Sequence, residues 1–139
     1  MSKIAAAFKR QRKCFIPFIT AGDPNLDVTE QLIVAMANAG ADIVELGIPF
    51  SDPVAEGEVI QAANIRALNA GTTTDKIFAM LKNVRTKTDV PLVFLTYINP
   101  IFTYGTEKIS GKLQKRWAGR NYCAGRALRR KSAAVRALP

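Results

Sequence analysis

The chain has 139 residues, 48% of them hydrophobic, enough for one modest domain with a real core. No apolar run approaches the roughly 20 residues of a membrane span, the apolar start is too short for a secretory signal, and two cysteines make no disulfide framework, so a cytoplasmic protein is expected. The net charge of +9 hints at nucleic-acid binding until it is divided: residues 1–108 hold 11 basic and 11 acidic side chains, whereas 109–139 hold nine basic and none acidic.

In chain order, residues 2–12 read as a short helix with basic residues at its C-terminal end, which suits the helix dipole. Cys14–Thr20 is a short β-prone run closed by the turn signal Ala21-Gly-Asp-Pro24. Helical spacing follows over Leu26–Asn38, with Gly40 as its stop. Ala41–Leu46 reads as a second strand. Val59–Ala70 and Thr74–Lys87 read as two helices, separated by Gly71 and a threonine run suited to N-capping. Val90–Ile98 is a third strand, almost continuously apolar, as for one buried on both faces. Strands alternating with helices predict a parallel sheet, either doubly wound or part of a barrel, and periodicity alone leaves both open.

Two kinds of carboxylate stand out. Glu45 lies inside the apolar strand, where cover on both faces would partly desolvate it and suit it to taking and giving protons; a solvent-facing Glu is the plain alternative. Asp52, Glu56 and Glu58 lie in or beside the following loop, stiffened by Pro49 and Pro53. Acids in a loop are more often just solvated. Tyr97, Asn99 and Pro100 end the third strand, on the side where parallel α/β proteins carry their active sites. Phe18 and Leu95 can line an apolar pocket there or simply pack in the core. Gly22-Asp-Pro24 reads as a tight turn only. His is absent, and no Cys/Asp/Glu cluster has metal spacing, so no metal is expected. There is no P-loop, GxGxxG or nucleophile elbow.

FIPFITAGDP (15–24), ADIVELGIPFSDPVAEG (41–57), IQAANIRAL (60–68) and LTYINPIF (95–102) closely resemble the tryptophan synthase α chain family, over about residues 3–108. The resemblance implies the N-terminal three βα units of a TIM (β/α)8 barrel. It implies a lyase of tryptophan biosynthesis that cleaves indole-3-glycerol phosphate to indole and glyceraldehyde 3-phosphate, with no cofactor of its own. By resemblance Glu45 takes the place of the acid–base at indole C3. Glu56 takes that of an Asp contacting the indole nitrogen, one methylene longer here. Glu58 stands where proline is usual. Phe18, Leu95 and Tyr97 fall on the indole pocket. Pro49, Asp52 and Asn99 fall on surfaces facing a β chain in an α2β2 tetramer, and pyridoxal phosphate would belong to that β chain.

The resemblance stops after Lys108, and residues 109–139 are read as a separate, non-homologous basic tail. A barrel of this kind takes about 250 residues, and its phosphate site is built after strands seven and eight. A permitted codon set for Ile109–Trp117, read one nucleotide later, gives FLENCKNAG, a fitting start for the third barrel helix. The same shift turns glutamate codons into arginine codons. The tail is therefore read as out-of-frame translation after a one-nucleotide insertion near the Glu107-Lys108 codons, and as disordered; the 139-residue form is expected to be inactive. Two other readings remain: a non-catalytic module whose basic tail, with Trp117 and Tyr122, binds nucleic acid, and a different phosphate-binding TIM barrel enzyme.

Overall fold

The computed structural model describes residues 3–9 and 13–115. Residues 10–12, at the end of the first expected helix, and 116–139, most of the basic tail, lie outside the described residues. The element order is α1 (Lys3–Phe8), β1 (Phe18–Thr20), α2 (Leu26–Asn38), β2 (Val44–Gly47), α3 (Glu58–Asn69), α4 (Thr74–Lys87), β3 (Leu92–Leu95), α5 (Ile98–Tyr104) and α6 (Thr106–Lys115). The three strands form one parallel sheet in the order β1-β2-β3, with helices in each connection between strands. No helix among the described residues is long and apolar enough to cross a membrane.

α2 and α4 begin and end where spacing and caps predict. The side chain of Asn25 accepts the amide of Val28, and that of Thr73 accepts the amide of Lys76, each satisfying one of the donors a helix start leaves free. α3 starts one residue earlier than expected, at Glu58. An acid at the first helical position suits the positive end of the helix dipole, and proline is favoured at the same position for its fixed φ. Glutamate and proline are thus both good first residues for this helix.

The strands are shorter than the apolar runs that carry them. Residues 14–17 stay outside β1, yet Asp42 N–H donates to Phe15 O at 2.9 Å and Glu45 N–H to Pro17 O at 2.9 Å. Pro17 has no N–H to return, so a regular ladder begins only after it. Val44 N–H similarly donates to Pro91 O at 2.9 Å, and β3 begins after that proline. The far end of the third run is not strand at all. Tyr97 caps α5, and Asn99 and Pro100 lie in its first turn, not at a strand end. Proline fits there because first-turn amides need no intrahelical acceptor. α6 carries the backbone as helix across the 108/109 position to Lys115.

The two faces of the sheet differ. One is closed by α2 and α4: Ile33, Val44, Leu46, Leu81, Val84 and Leu92 are all fully buried, and Phe78 of α4 meets Phe94 of β3 edge-on with ring centroids 5.6 Å apart. The opposite face carries Phe18, Glu45 and Val93 in one rung, and Thr20, Gly47 and Leu95 in the next. Here Phe18, Glu45 and Val93 are half-buried and Leu95 is 44% exposed. The expectation of strands covered on both faces therefore fails for the described residues. A run such as LVFL reads the same whether its second face is packed by neighbouring helices or by the rest of a barrel.

The β1–α2 turn does more than reverse the chain. Gly22 adopts φ +90°, which favours glycine, and its N–H donates to Thr29 Oγ1 at 2.9 Å. Asp23 accepts from Arg66 Nε and Nη2, both at 2.8 Å, so the turn is clamped to α3 by a two-pronged ion pair. The hydrogen-bonded guanidinium holds the Asp23 carboxyl below the usual carboxylate range. A carboxylate lowered in the fold stabilises above its unfolded pKa, and that contribution is lost as pH falls through the folded value. Asp23→Asn is therefore expected to lower the thermal midpoint slightly above about pH 4, with the two acid-unfolding curves converging below it. The effect is small because the pair is at the surface.

Candidate functional site

The open face and the loops at the C-terminal ends of its strands hold most of the expected residues. Glu45 is in the middle of β2, with Phe18 as its register partner on β1 and Val93 on β3. The Phe18 ring lies directly over Gly47: a Cβ built on that glycine would come 2.8 Å from Phe18 Cζ. Glycine here is what lets the aromatic ring approach the strand this closely, in the rung after the carboxylate. Leu95 is the partner of Gly47 on the other side and continues the apolar wall. Phe18, Glu45 and Leu95 thus lie on one face of the sheet.

Tyr97 plays a part the sequence did not reveal. Its hydroxyl accepts the Ala55 N–H at 2.9 Å, and its ring meets Phe50 with centroids 5.5 Å apart. It holds the Ser51–Glu56 loop to the end of β3. A second hold comes from α3, where Gln61 Nε2 donates to Glu56 O at 2.8 Å. Both act on main-chain atoms, so no motif of charged or aromatic spacing could have pointed to them. Glu56 is half-buried at the end of this loop. Asp52 and Asn99 are exposed, with the Ser51 hydroxyl donating to Asp52 Oδ2. Pro49 is buried.

A separate cavity of about 290 Å³ lies between Ile48, Pro49, Thr72–Asp75 and Tyr104. Neither Glu45 nor Glu56 lines it, so it is no extension of the carboxylate surface. Among the described residues no group of three or more His, Cys, Asp or Glu could hold a metal ion. The described residues give an apolar, aromatic surface that carries the half-buried Glu45, and a tethered loop that carries Glu56. A carboxylate set among apolar and aromatic side chains is a group able to take or give a proton.

The family model described as "Tryptophan synthase alpha chain" matches residues 4–119. A tryptophan synthase alpha chain from Geotalea uraniireducens is 50% identical over 112 residues, 78% of this chain and 42% of that protein. A solved tryptophan synthase subunit alpha from Legionella pneumophila superposes with a TM-score of 0.77 at 36% identity, covering 87% of this chain and 47% of the other. A chain of the tryptophan synthase a2b2 complex from Pyrococcus furiosus gives 0.69 at 36% identity, covering 78% of this chain and 42% of that one. The chain covers less than half the length of each of these three relatives. Its three parallel βα units are a part of the barrel those relatives complete.

Proposed function

Because the chain belongs to the tryptophan synthase alpha chain family, we propose that it contributes the acid–base wall for cleaving indole-3-glycerol phosphate to indole and glyceraldehyde 3-phosphate. In this reading Glu45 delivers a proton to indole C3. The positive charge that results on the ring nitrogen is balanced by the Glu56 carboxylate. The hydroxyl on the side-chain carbon next to C3 then gives its proton to the Glu45 carboxylate as the carbon–carbon bond breaks, and the bond's electrons return to the ring and neutralise its charge, leaving an aldehyde and indole. Phe18 and Leu95 bind the flat ring, and Tyr97 holds the loop that carries Glu56. No cofactor of the chain's own is needed for these steps.

The observation that supports this most is the placement of Glu45: half-buried on the open face, in register with Phe18, and two residues before Gly47, the C-terminal end of a parallel strand. Catalytic groups of such barrels gather at those strand ends. The phosphate of the substrate needs groups from later units, which is why the 139-residue form alone is proposed to be inactive. The exposed Asp52 and Asn99, with Phe102 of α5 at 62% exposure nearby in sequence, suit contact with a β chain, to which pyridoxal phosphate would belong.

The test is a fusion of residues 1–115 to the later barrel units of the Geotalea uraniireducens relative, assayed for indole release from indole-3-glycerol phosphate. Release is expected from the fusion and not from the 139-residue chain. A folded fusion that releases none would overturn the reading.

A further inference from the structure

We propose that Gln61 is a positioning residue for the Glu56 carboxylate, because it fixes the glycine hinge between that residue and α3. The inference rests on the functional reading above and adds to it the group that sets where the second carboxylate stands. The chain enters α3 through its N-cap, Gly57, at φ −76° and ψ 166°, with no side-chain cap hydrogen bond. Glycine leaves the peptide groups on either side of it freer to rotate than any other residue would. Gln61 removes that freedom from both sides. Its main-chain N–H donates to Gly57 O at 3.0 Å, and its side-chain Nε2 donates to Glu56 O at 2.8 Å. One residue thus bonds the carbonyl before the Gly57 Cα and the carbonyl after it, and the rotation between them is set.

The other end of the same short stretch is held independently, since Tyr97 Oη accepts the Ala55 N–H at 2.9 Å. Ala55 and Glu56 therefore lie between two fastened peptide groups, one tied to the end of β3 and one to α3. An amide is the group this position needs. A carboxylate of the same length has no proton to donate to a carbonyl, and an asparagine reaches one methylene less far. Gln61 is exposed, so its bond competes with water and adds little to the stability of the fold. Its effect belongs in the chemistry. In the proposed reaction the ring nitrogen becomes positive only once C3 is protonated, so a misdirected Glu56 lowers kcat and leaves substrate binding nearly as it was. A residue that merely starts a helix would act alike whatever side chain stood at position 56.

The experiment uses Gln61→Met, which keeps the length and helix preference of the side chain and removes the donor. In the 139-residue chain the Ala55 amide of the variant is expected to exchange with solvent about three- to tenfold faster than in the parent, with the amides of α2 and α4 unchanged. In the fused barrel, kcat for indole release is expected to fall about tenfold or more while KM stays within about twofold. In a Glu56→Gln background the same substitution is expected to change kcat by less than about twofold, because no carboxylate is left to aim. Unchanged exchange, unchanged kcat, or an undiminished loss in the Glu56→Gln background would each overturn the proposal, the last by marking Gln61 as a helix-start residue only. If the parent fusion releases indole and the variant matches it, this inference falls and the functional reading stands. A folded parent fusion that releases no indole overturns the functional reading itself, and this inference with it.

Discussion

Glu45→Gln in the fused barrel is expected to lower indole release by about a hundredfold or more, the low end of what a positioned acid–base contributes. The amide keeps the size and the hydrogen-bonding capacity of the side chain but cannot deliver a proton to carbon. Since Glu45 is only half-buried and α2 and α4 pack on the other face, the substitution should leave the thermal midpoint within a degree or two of the parent, a surface-sized change. The assay therefore separates chemistry from folding. Full activity in the variant would remove Glu45 from the mechanism and favour a different reaction on the same barrel. A parallel loss of helical signal would mean that the carboxylate is structural.

The largest effect on stability is expected from Leu81→Ala. Leu81 is fully buried in α4, within the cluster that joins α2, α4, β2 and β3. Truncating a buried leucine costs about 2–5 kcal/mol through lost transfer energy and the cavity left behind. A small unit that buries only one side of its sheet has little to spare, so the variant should be largely unfolded at 25 °C. Leu95→Ala is the control with the same chemistry on the other face. At 44% exposure its loss should cost about 1 kcal/mol or less. Urea unfolding of the two variants measures the asymmetry of the sheet directly. Equal destabilisation would mean that the second face is packed as well as the first.

The elements that were legible in the sequence are those whose signal is local. α2 and α4 have apolar spacing inside and a capping side chain at the start, and both agree with expectation to the residue. Strand limits were less legible because Pro17 and Pro91 sit inside apolar runs and interrupt donors, not hydrophobicity. α5 was missed for a related reason. VPLVFLTYI is almost continuously apolar, and Tyr97 caps the helix without a side-chain hydrogen bond, so little in residue type marks the change. In the site, Glu45 was legible as an acid in an apolar strand. The hold of Gln61 on the Glu56 carbonyl was not, nor was the Asp23–Arg66 clamp, since each joins residues through geometry that only the folded chain supplies. The resemblance, by contrast, rests on motifs long enough to fix the family without any of this geometry.

The loop that carries Glu56 is suspended by two side chains that grip main-chain atoms of adjacent residues, Tyr97 at the Ala55 N–H and Gln61 at the Glu56 carbonyl. Neither grip uses the Glu56 carboxylate. A mooring of this kind can be shortened or slackened by a point substitution in Tyr97, Gln61 or the loop itself, with no disturbance to the sheet. The reach of the carboxylate is thereby an adjustable quantity, and under the proposed function the extra methylene that the resemblance implies at position 56 is a change that such a mooring can take up by letting the loop retreat.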